Sequence, residues 1–132
     1  KVHMLKKFWG SLGFGNVEIT TAKEHDKRIA FTSQLAHVVS SSYIKSPTAI
    51  KQHGFSAGIF KIMTRNARLN ENMWSELFIK NSENLVKEID FMIENLNQHK
   101  ESILAKDTDK LKTLLKHGRE LKELADKEDM DE

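Results

Sequence analysis

Apolar residues recur at helical spacing along most of the chain, and glycine or proline seldom interrupts them. Residues 2–12 form the first such pattern, which ends at Gly13. A capping box of Thr21 and Glu24 begins a second helix, which we expect to continue to about Lys45. Further predicted elements are a short helix after Ser46, a loop over 54–58, and helices over about 59–69, from Asn70 through Ile79, from Ser82 onwards and from Asp107 or Thr108 onwards.

The second predicted helix carries a polar stripe where a buried helix would be apolar. Its other faces carry apolar residues such as Ile29, Leu35 and Val38. At about 100° per residue, one face collects Asp26, Ala30, Ser33, His37 and Ser40 or Ser41. Buried polar groups are costly unless they are paired, so this stripe indicates a solvated cleft or a ligand-binding surface.

Residues 17–20 alternate apolar and polar side chains, a pattern that predicts one short strand. A lone strand needs partners, and no further strand pattern follows in the chain. We therefore expect this segment to complete a sheet in a missing N-terminal domain. The chain also begins without an initiator methionine, and we interpret it as a fragment or a domain of a longer protein.

The two C-terminal helices carry apolar stripes broad enough to need a partner surface. The apolar positions are 85, 89, 92, 93, 96, 103 and 104 in the first helix and 111, 114, 115, 121 and 124 in the second. The two helices can cover each other as a helical hairpin, or they can leave surface for a second subunit. Periodicity alone leaves both arrangements open.

Composition narrows the class of protein. A chain of 132 residues suffices for one domain with a real core. The absence of cysteine excludes disulfides and thiolate metal sites and fits a cytoplasmic location. A net charge of +2 gives no case for a nucleic-acid partner. No apolar run approaches the ~18 residues of a membrane span, and the N-terminus lacks the pattern of a signal peptide.

Three short motifs occur in order within residues 24–81. They are Glu24-His25-Asp26 followed by Ala30-x-x-Ser33-x-Leu35-x-His37; Gly54-Phe55-Ser56-Ala57-Gly58 followed by Lys61-x-x-Thr64-Arg65-x-Ala67-Arg68 and Asn72-Met73-Trp74; and Trp74-x-x-Leu77-Phe78-x-x-Asn81. In this order and spacing they resemble the helical C-terminal domain of prephenate dehydrogenase. The resemblance covers roughly residues 1–125.

The resemblance implies an all-α, bundle-like domain that forms homodimers, with at most one short N-terminal strand. Residues 1–20 would be the end of, or the linker from, a missing nucleotide-binding domain. Residues 21–125 would be the helical substrate and dimerisation domain, and residues 126–132 a frayed acidic tail. The parent enzyme would oxidise and decarboxylate prephenate to 4-hydroxyphenylpyruvate with NAD, in tyrosine biosynthesis. The chain has no Gly-x-Gly-x-x-Gly, so NAD and the general acid–base histidine would belong to the missing domain, and the fragment alone should be inactive.

The resemblance also assigns substrate-side residues. Arg65 would hold a carboxylate of prephenate in a two-pronged bond, and His37 would lie near the substrate hydroxyl or the side chain of an inhibitory tyrosine. The full set is His25, Asp26, Ser33, His37, Gly58, Lys61, Thr64 and Arg65. Ile62 departs from the family pattern, where an aspartate is frequent, so an ion pair through that position should be absent or rearranged here. Gln34 and Ala36 stand where many relatives carry a second histidine and a proline.

Other interpretations of the same residues stay open. The pair His25-Asp26 can simply favour a helix N-terminus, or can bind metal as in all-helical His-Asp phosphohydrolases, which need a second histidine and a distant aspartate. Lys61 and Arg65, four apart, can form a solvated cationic face. Trp74 is more typical of a core anchor than of a ligand stack. A non-enzymatic helical interaction module explains the C-terminal helices equally well. The residues do not distinguish prephenate from arogenate or NAD from NADP.

Overall fold

A computed structural model describes residues 1–15, 17–55 and 58–130, with side chains through residue 128. Within these ranges all regular secondary structure is helical, which confirms the predicted all-α class. The elements are α1 (Val2–Ser11), α2 (Ala22–Ile29), a π-helical segment (Ala30–Leu35), α3 (Ala36–Tyr43), a 3-10 turn (Ala49–Lys51), α4 (Gly58–Thr64), α5 (Glu71–Lys80), α6 (Ser82–Leu104) and α7 (Thr108–Met130). Residues 17–20, predicted as a short strand, have no regular secondary structure.

The long second helix is present, but its middle is wound differently from the prediction. Thr21 caps α2, where its hydroxyl oxygen accepts from the amide of Glu24 at 3.2 Å. Ala30–Leu35 then form a π-helical segment before α3 resumes the ordinary winding. A π-helical turn holds more residues than an α-helical one, so the faces after Ala30 differ from those of a uniform helix. Ala30, Leu35 and Gln34 are buried, at 0%, 4% and 5% exposure.

Helix α4 is shorter than predicted. It ends at Thr64, whereas the apolar pattern predicts a helix to about residue 69. The Thr64 hydroxyl donates to the Phe60 carbonyl at 2.8 Å, and the Arg65 amide turns back to the Ile62 carbonyl at 3.4 Å. This i→i+3 contact tightens and closes the last turn. Arg65 therefore lies in the turn after α4, and the prediction that it shares a helix with Lys61 is wrong.

The connection before α4 matches the prediction only in part. The Ser46 hydroxyl oxygen accepts from the amide of Thr48 at 3.3 Å, and the short helix that follows is a single 3-10 turn. Gly54 adopts a φ of +86°, which favours glycine. Residues 56 and 57 of the predicted 54–58 loop lie outside the described residues, and Gly58 is the first residue of α4.

Contacts divide the chain into two compact units, Lys1–Leu85 and Val86–Glu132. In the second unit Lys106, at φ 53°, precedes α7, and the Asp107 carboxylate accepts from the amide of Lys110 at 2.9 Å. The cap therefore forms at Asp107, one of the two predicted positions. Helix α7 runs on through Met130, where composition predicts a frayed tail from 126, and residues 131 and 132 lie outside the described part.

Both C-terminal helices leave large apolar side chains in solvent. The exposed residues are Val86, Phe91, Ile93, Leu96, Ile103 and Leu104 on α6 and Leu115, Leu121 and Leu124 on α7. Intrachain packing thus leaves part of each stripe uncovered, and these exposed side chains remain available to another surface. None of the helices in the described ranges is both long and apolar enough to cross a membrane.

Helix α5 offers a test of the local folding signals. The Asn70 side-chain oxygen accepts from the amide of Met73 at 3.0 Å and caps the helix. We expect Asn70→Ala to lower the free energy of unfolding by about 1 kcal/mol, because an N-terminal amide loses its partner. Asn70→Asp should keep most of the stability, since its carboxylate oxygen also accepts. Urea denaturation of both variants measures the difference, and an unchanged Asn70→Ala would contradict the capping role.

Candidate functional site

The predicted polar stripe is half-buried rather than exposed along its length. Ser33 and His37 are half-buried, and Ser40 is buried at 4% exposure. Asp26, at the start of the stripe, keeps 58% of its side chain exposed. Exposure thus alternates along the stripe, and Ser33 and His37 are its polar residues that a ligand could reach while partly shielded from water.

His37 is held in a defined orientation by two contacts. Its Nδ1 lies 2.7 Å from the carbonyl oxygen of Ser33, one turn earlier. A carbonyl can only accept, so Nδ1 carries the hydrogen and Nε2 is left as the acceptor of the neutral ring. The imidazole also stacks on the indole of Trp74, with ring centroids 3.8 Å apart and planes 28° from parallel. The group of Ser33 that contacts His37 is thus its backbone carbonyl and not its side-chain hydroxyl.

Trp74 is half-buried, which modifies its interpretation as a core anchor. One neighbour is His37, and the other is Phe78, whose ring centroid lies 5.5 Å from that of the indole. Two aromatic contacts fix the indole without enclosing it. The indole therefore forms a rigid wall behind the imidazole, and the His37 ring cannot turn freely.

A cluster of side-chain amides joins the π-helical segment to the junction of α5 and α6. The Asn81 amide nitrogen donates to the Gln34 side-chain oxygen at 2.9 Å and to the Asp26 carbonyl at 2.8 Å. Gln34 in turn donates to the carbonyl of Leu77 at 3.2 Å, and Asn84 donates to the Asn81 oxygen at 2.8 Å. Asp26, predicted as a site residue through its carboxylate, contributes its backbone carbonyl to this cluster.

His25 and Asp26 form a contact of their own at the surface. The His25 Nδ1 lies 3.1 Å from an Asp26 carboxylate oxygen, and both side chains are more than half exposed. His25 also lines an open cleft of about 470 Å³ between α1 and residues 17–22. Both side chains are thus accessible to solvent, and the Asp26 carboxylate can orient the His25 imidazole.

The remaining predicted residues lie on α4 and in the turn after it. Gly58 and Lys61 are exposed, Thr64 is half-buried and bonded to its own helix, and Arg65 is exposed. Within the described part of the chain, neither Lys61 nor Arg65 has a recorded ion pair. Helix α4 packs on α3, and the ring centroids of Phe60 and Tyr43 lie 6.2 Å apart. The two cations are therefore available to an anion, in a segment anchored to the helix that carries His37.

Sequence reasoning gave no role to Gln34, Asn81 or the stacked position of Trp74. In the sequence, Gln34 stands out only as a departure from the family pattern and Asn81 only as the last residue of a motif. Gln34 is separated along the chain by 43 residues from Leu77 and by 47 from Asn81, and helical periodicity does not relate positions so far apart. Across residues 1–15, 17–55 and 58–130, no group of three or more His, Cys, Asp or Glu side chains is placed to hold a metal ion.

Comparison with known proteins identifies one family. The family model described as prephenate dehydrogenase, dimerization domain, matches residues 21–117. A cyclohexadienyl dehydrogenase of Zymomonas mobilis is 31% identical over an alignment of 121 residues, and the match covers 86% of this chain and 39% of that protein. The chain therefore spans well under half the length of this relative.

Two solved structures resemble the chain closely. Prephenate dehydrogenase from A. aeolicus, in complex with hydroxyphenyl propionate and NAD+, superposes with a TM-score of 0.74 at 28% identity, covering 94% of this chain and 44% of that one. Synechocystis arogenate dehydrogenase gives a TM-score of 0.76 at 18% identity, covering 94% and 47%. The second likeness supports the fold alone.

The stacked pair of rings yields a prediction that needs no substrate. In a Trp9→Phe background, Trp74 is the tryptophan that reports fluorescence from this chain. His37→Ala should move its emission to longer wavelength, because the indole loses a covering ring. Ser33→Ala should leave the emission unchanged, since the bond to His37 uses the backbone carbonyl. Equal shifts in both variants would show that the stack is not what shields Trp74.

Proposed function

The chain belongs to the prephenate dehydrogenase dimerization-domain family, and we propose that it is the C-terminal substrate and dimerisation part of a prephenate dehydrogenase. The parent enzyme oxidises and decarboxylates prephenate to 4-hydroxyphenylpyruvate, with NAD as the hydride acceptor. The observation that carries this proposal is the family match over residues 21–117, which contains every candidate substrate residue. If the chain were only an interaction module, the exposed cations Lys61 and Arg65 and the oriented imidazole of His37 would have no common role.

Arg65 is the proposed anchor for a substrate carboxylate. Prephenate carries two carboxylates, and a guanidinium can hold one of them through two parallel hydrogen bonds. Arg65 is exposed in the turn after α4, and Lys61 is a second exposed cation, on α4 itself.

His37 is the proposed contact for the hydroxyl-bearing end of the substrate ring. Its Nδ1 is committed to the Ser33 carbonyl, so Nε2 is the nitrogen that can meet a hydroxyl. The stack on Trp74 holds that nitrogen in place. This arrangement suits recognition, since the family's general acid–base histidine would belong to the nucleotide-binding domain. The same contact would recognise the phenol of tyrosine acting as an inhibitor.

The described residues do not by themselves fit NAD. The sequence has no Gly-x-Gly-x-x-Gly, and the described ranges hold no strand-to-helix turn of the kind that binds a pyrophosphate. We therefore assign NAD to a nucleotide-binding domain of the parent protein. The proposed role of this chain is to hold prephenate and to join two subunits.

Homodimerisation is proposed through the exposed members of the apolar stripes on α6 and α7, which are Ile93, Leu96, Ile103, Leu104, Leu115, Leu121 and Leu124. The 132-residue chain should sediment at micromolar concentration with about twice its 15.2 kDa mass. Leu96→Glu should return it to a monomer, because a charge buried without a partner in the interface is costly. Leu96 is 60% exposed in the single chain, so its replacement should not unfold the subunit.

Asn95→Glu is the matched control for that experiment. It adds the same charge at the neighbouring exposed position, which is outside the apolar stripe. This variant should stay dimeric. A wild-type chain that sediments as a monomer at high concentration, or equal dissociation by both variants, would contradict dimerisation through this face.

Arg65→Ala tests the substrate assignment in the full-length enzyme. A charge-assisted hydrogen bond contributes roughly 1.5–3 kcal/mol. Losing about 3 kcal/mol raises a dissociation constant by roughly two orders of magnitude. Steady-state kinetics should therefore show a strongly increased KM for prephenate and an unchanged KM for NAD. Arg65→Lys should recover part of the loss, since a point charge cannot make the two-pronged bond.

Arg68→Ala serves as the internal comparison for Arg65. Arg68 is also exposed and lies three residues further on, beyond the turn that closes α4. Its removal should change the KM for prephenate much less. If Arg65→Ala left that KM at the wild-type value, Arg65 would be a surface cation and the substrate assignment would be wrong.

A further inference from the structure

The Asn81 side chain makes three hydrogen bonds within this cluster, two as donor and one as acceptor. Its amide nitrogen has two hydrogens, and the structure gives it two acceptors, the Asp26 carbonyl and the Gln34 side-chain oxygen. Its oxygen accepts from Asn84. A side chain with this donor and acceptor set is difficult to replace, because either an aspartate or a leucine would leave partners unsatisfied.

Gln34 carries the effect of Asn81 to the helix that bears Trp74. Gln34 is 5% exposed, and its nitrogen donates to the carbonyl of Leu77 near the end of α5. Gln34 precedes His37 by three residues, and Leu77 follows Trp74 by three. The hydrogen bond from Gln34 to Leu77 and the stack of His37 on Trp74 therefore lie about one helical turn apart. Both join the helix around residues 34–37 to α5.

The hydrogen bonds of Gln34 matter for His37 because Gln34 lies in the π-helical segment Ala30–Leu35, just before His37. A π-helical turn is rare and persists where surrounding contacts support it. Each residue of an α-helix turns the chain by about 100°, so a local change from π-helical to α-helical winding would rotate His37 away from Trp74. The Gln34 amide lies within that segment, where a contact to a neighbouring helix can hold the register.

We propose that Asn81 is a positioning residue for His37. Through Gln34 it fixes the π-helical turn in the register that keeps the His37 Nδ1 on the Ser33 carbonyl and the imidazole on Trp74. Nε2 is then presented in a single orientation to the hydroxyl-bearing end of the substrate ring. This role rests on the proposed prephenate dehydrogenase function, and it adds a residue that would act on substrate recognition without contacting the substrate.

The test compares Asn81→Leu, Gln34→Leu and Asn84→Leu in the full-length protein. Histidines are labelled with ¹⁵N, and the His37 signal is identified by its loss in His37→Asn. Long-range proton–nitrogen spectra then report which ring nitrogen carries the hydrogen. Wild type should show the hydrogen on Nδ1. Asn81→Leu and Gln34→Leu should show a mixture of the two tautomers, whereas Asn84→Leu, which leaves the link to Gln34 intact, should resemble wild type.

Kinetics on the same variants supply the second measurement. Losing one or two neutral hydrogen bonds that hold the orientation should lower kcat/KM for prephenate about tenfold in Asn81→Leu and Gln34→Leu. The KM for NAD should not change. The double variant should be no worse than either single one, because both act through one contact. If Asn81→Leu fails to fold, Asn81→Asp keeps the shape and the acceptor for Asn84 and removes both donors.

Two results would overturn the proposal. One is that His37 keeps its wild-type tautomer, and kcat/KM for prephenate its wild-type value, in Asn81→Leu or Asn81→Asp. The other is the same loss in Asn84→Leu, which would mean that any damage near the junction of α5 and α6 has this effect. If the wild-type protein failed to oxidise prephenate, the proposed function would be wrong. The tautomer spectra would still decide whether Asn81 orients His37.

Discussion

The hydrogen-bonded contact between Gln34 and Asn81 is the constraint on which the site depends. It joins a buried position in the π-helical segment to the junction of α5 and α6. A buried amide left without partners would cost more than the bond itself contributes, so the contact favours one arrangement of the helices over others. His37 and Trp74 meet within one turn of it, and their stack follows from the same arrangement.

Local signals in the sequence predicted most of the helices. Thr21, Asn70 and Asp107 cap helices where predicted, because a cap depends on a few neighbouring residues. The end of α4 was missed, since Thr64 bonds back to Phe60 and the chain turns before the apolar pattern fades. The π-helical winding was missed because a period of 3.6 residues assumes a uniform helix.

The sequence proposes members for the candidate site but not the contacts that hold them. Resemblance to a family selected His37 and Arg65, but the use of the Ser33 carbonyl and the stacked Trp74 depends on contacts between distant segments. The exposed apolar residues of α6 and α7 illustrate the opposite case. Their helical spacing was plain in the sequence, and the fold left them in solvent, as expected of a face that another subunit covers.

The most direct test of the account is a crystal structure of the full-length protein with hydroxyphenyl propionate, the ligand bound in the A. aeolicus structure. The account predicts the ligand carboxylate in a two-pronged bond with Arg65 and the phenol within hydrogen-bonding distance of the Nε2 of His37. Electron density for the ligand at a site that contacts neither residue would contradict it.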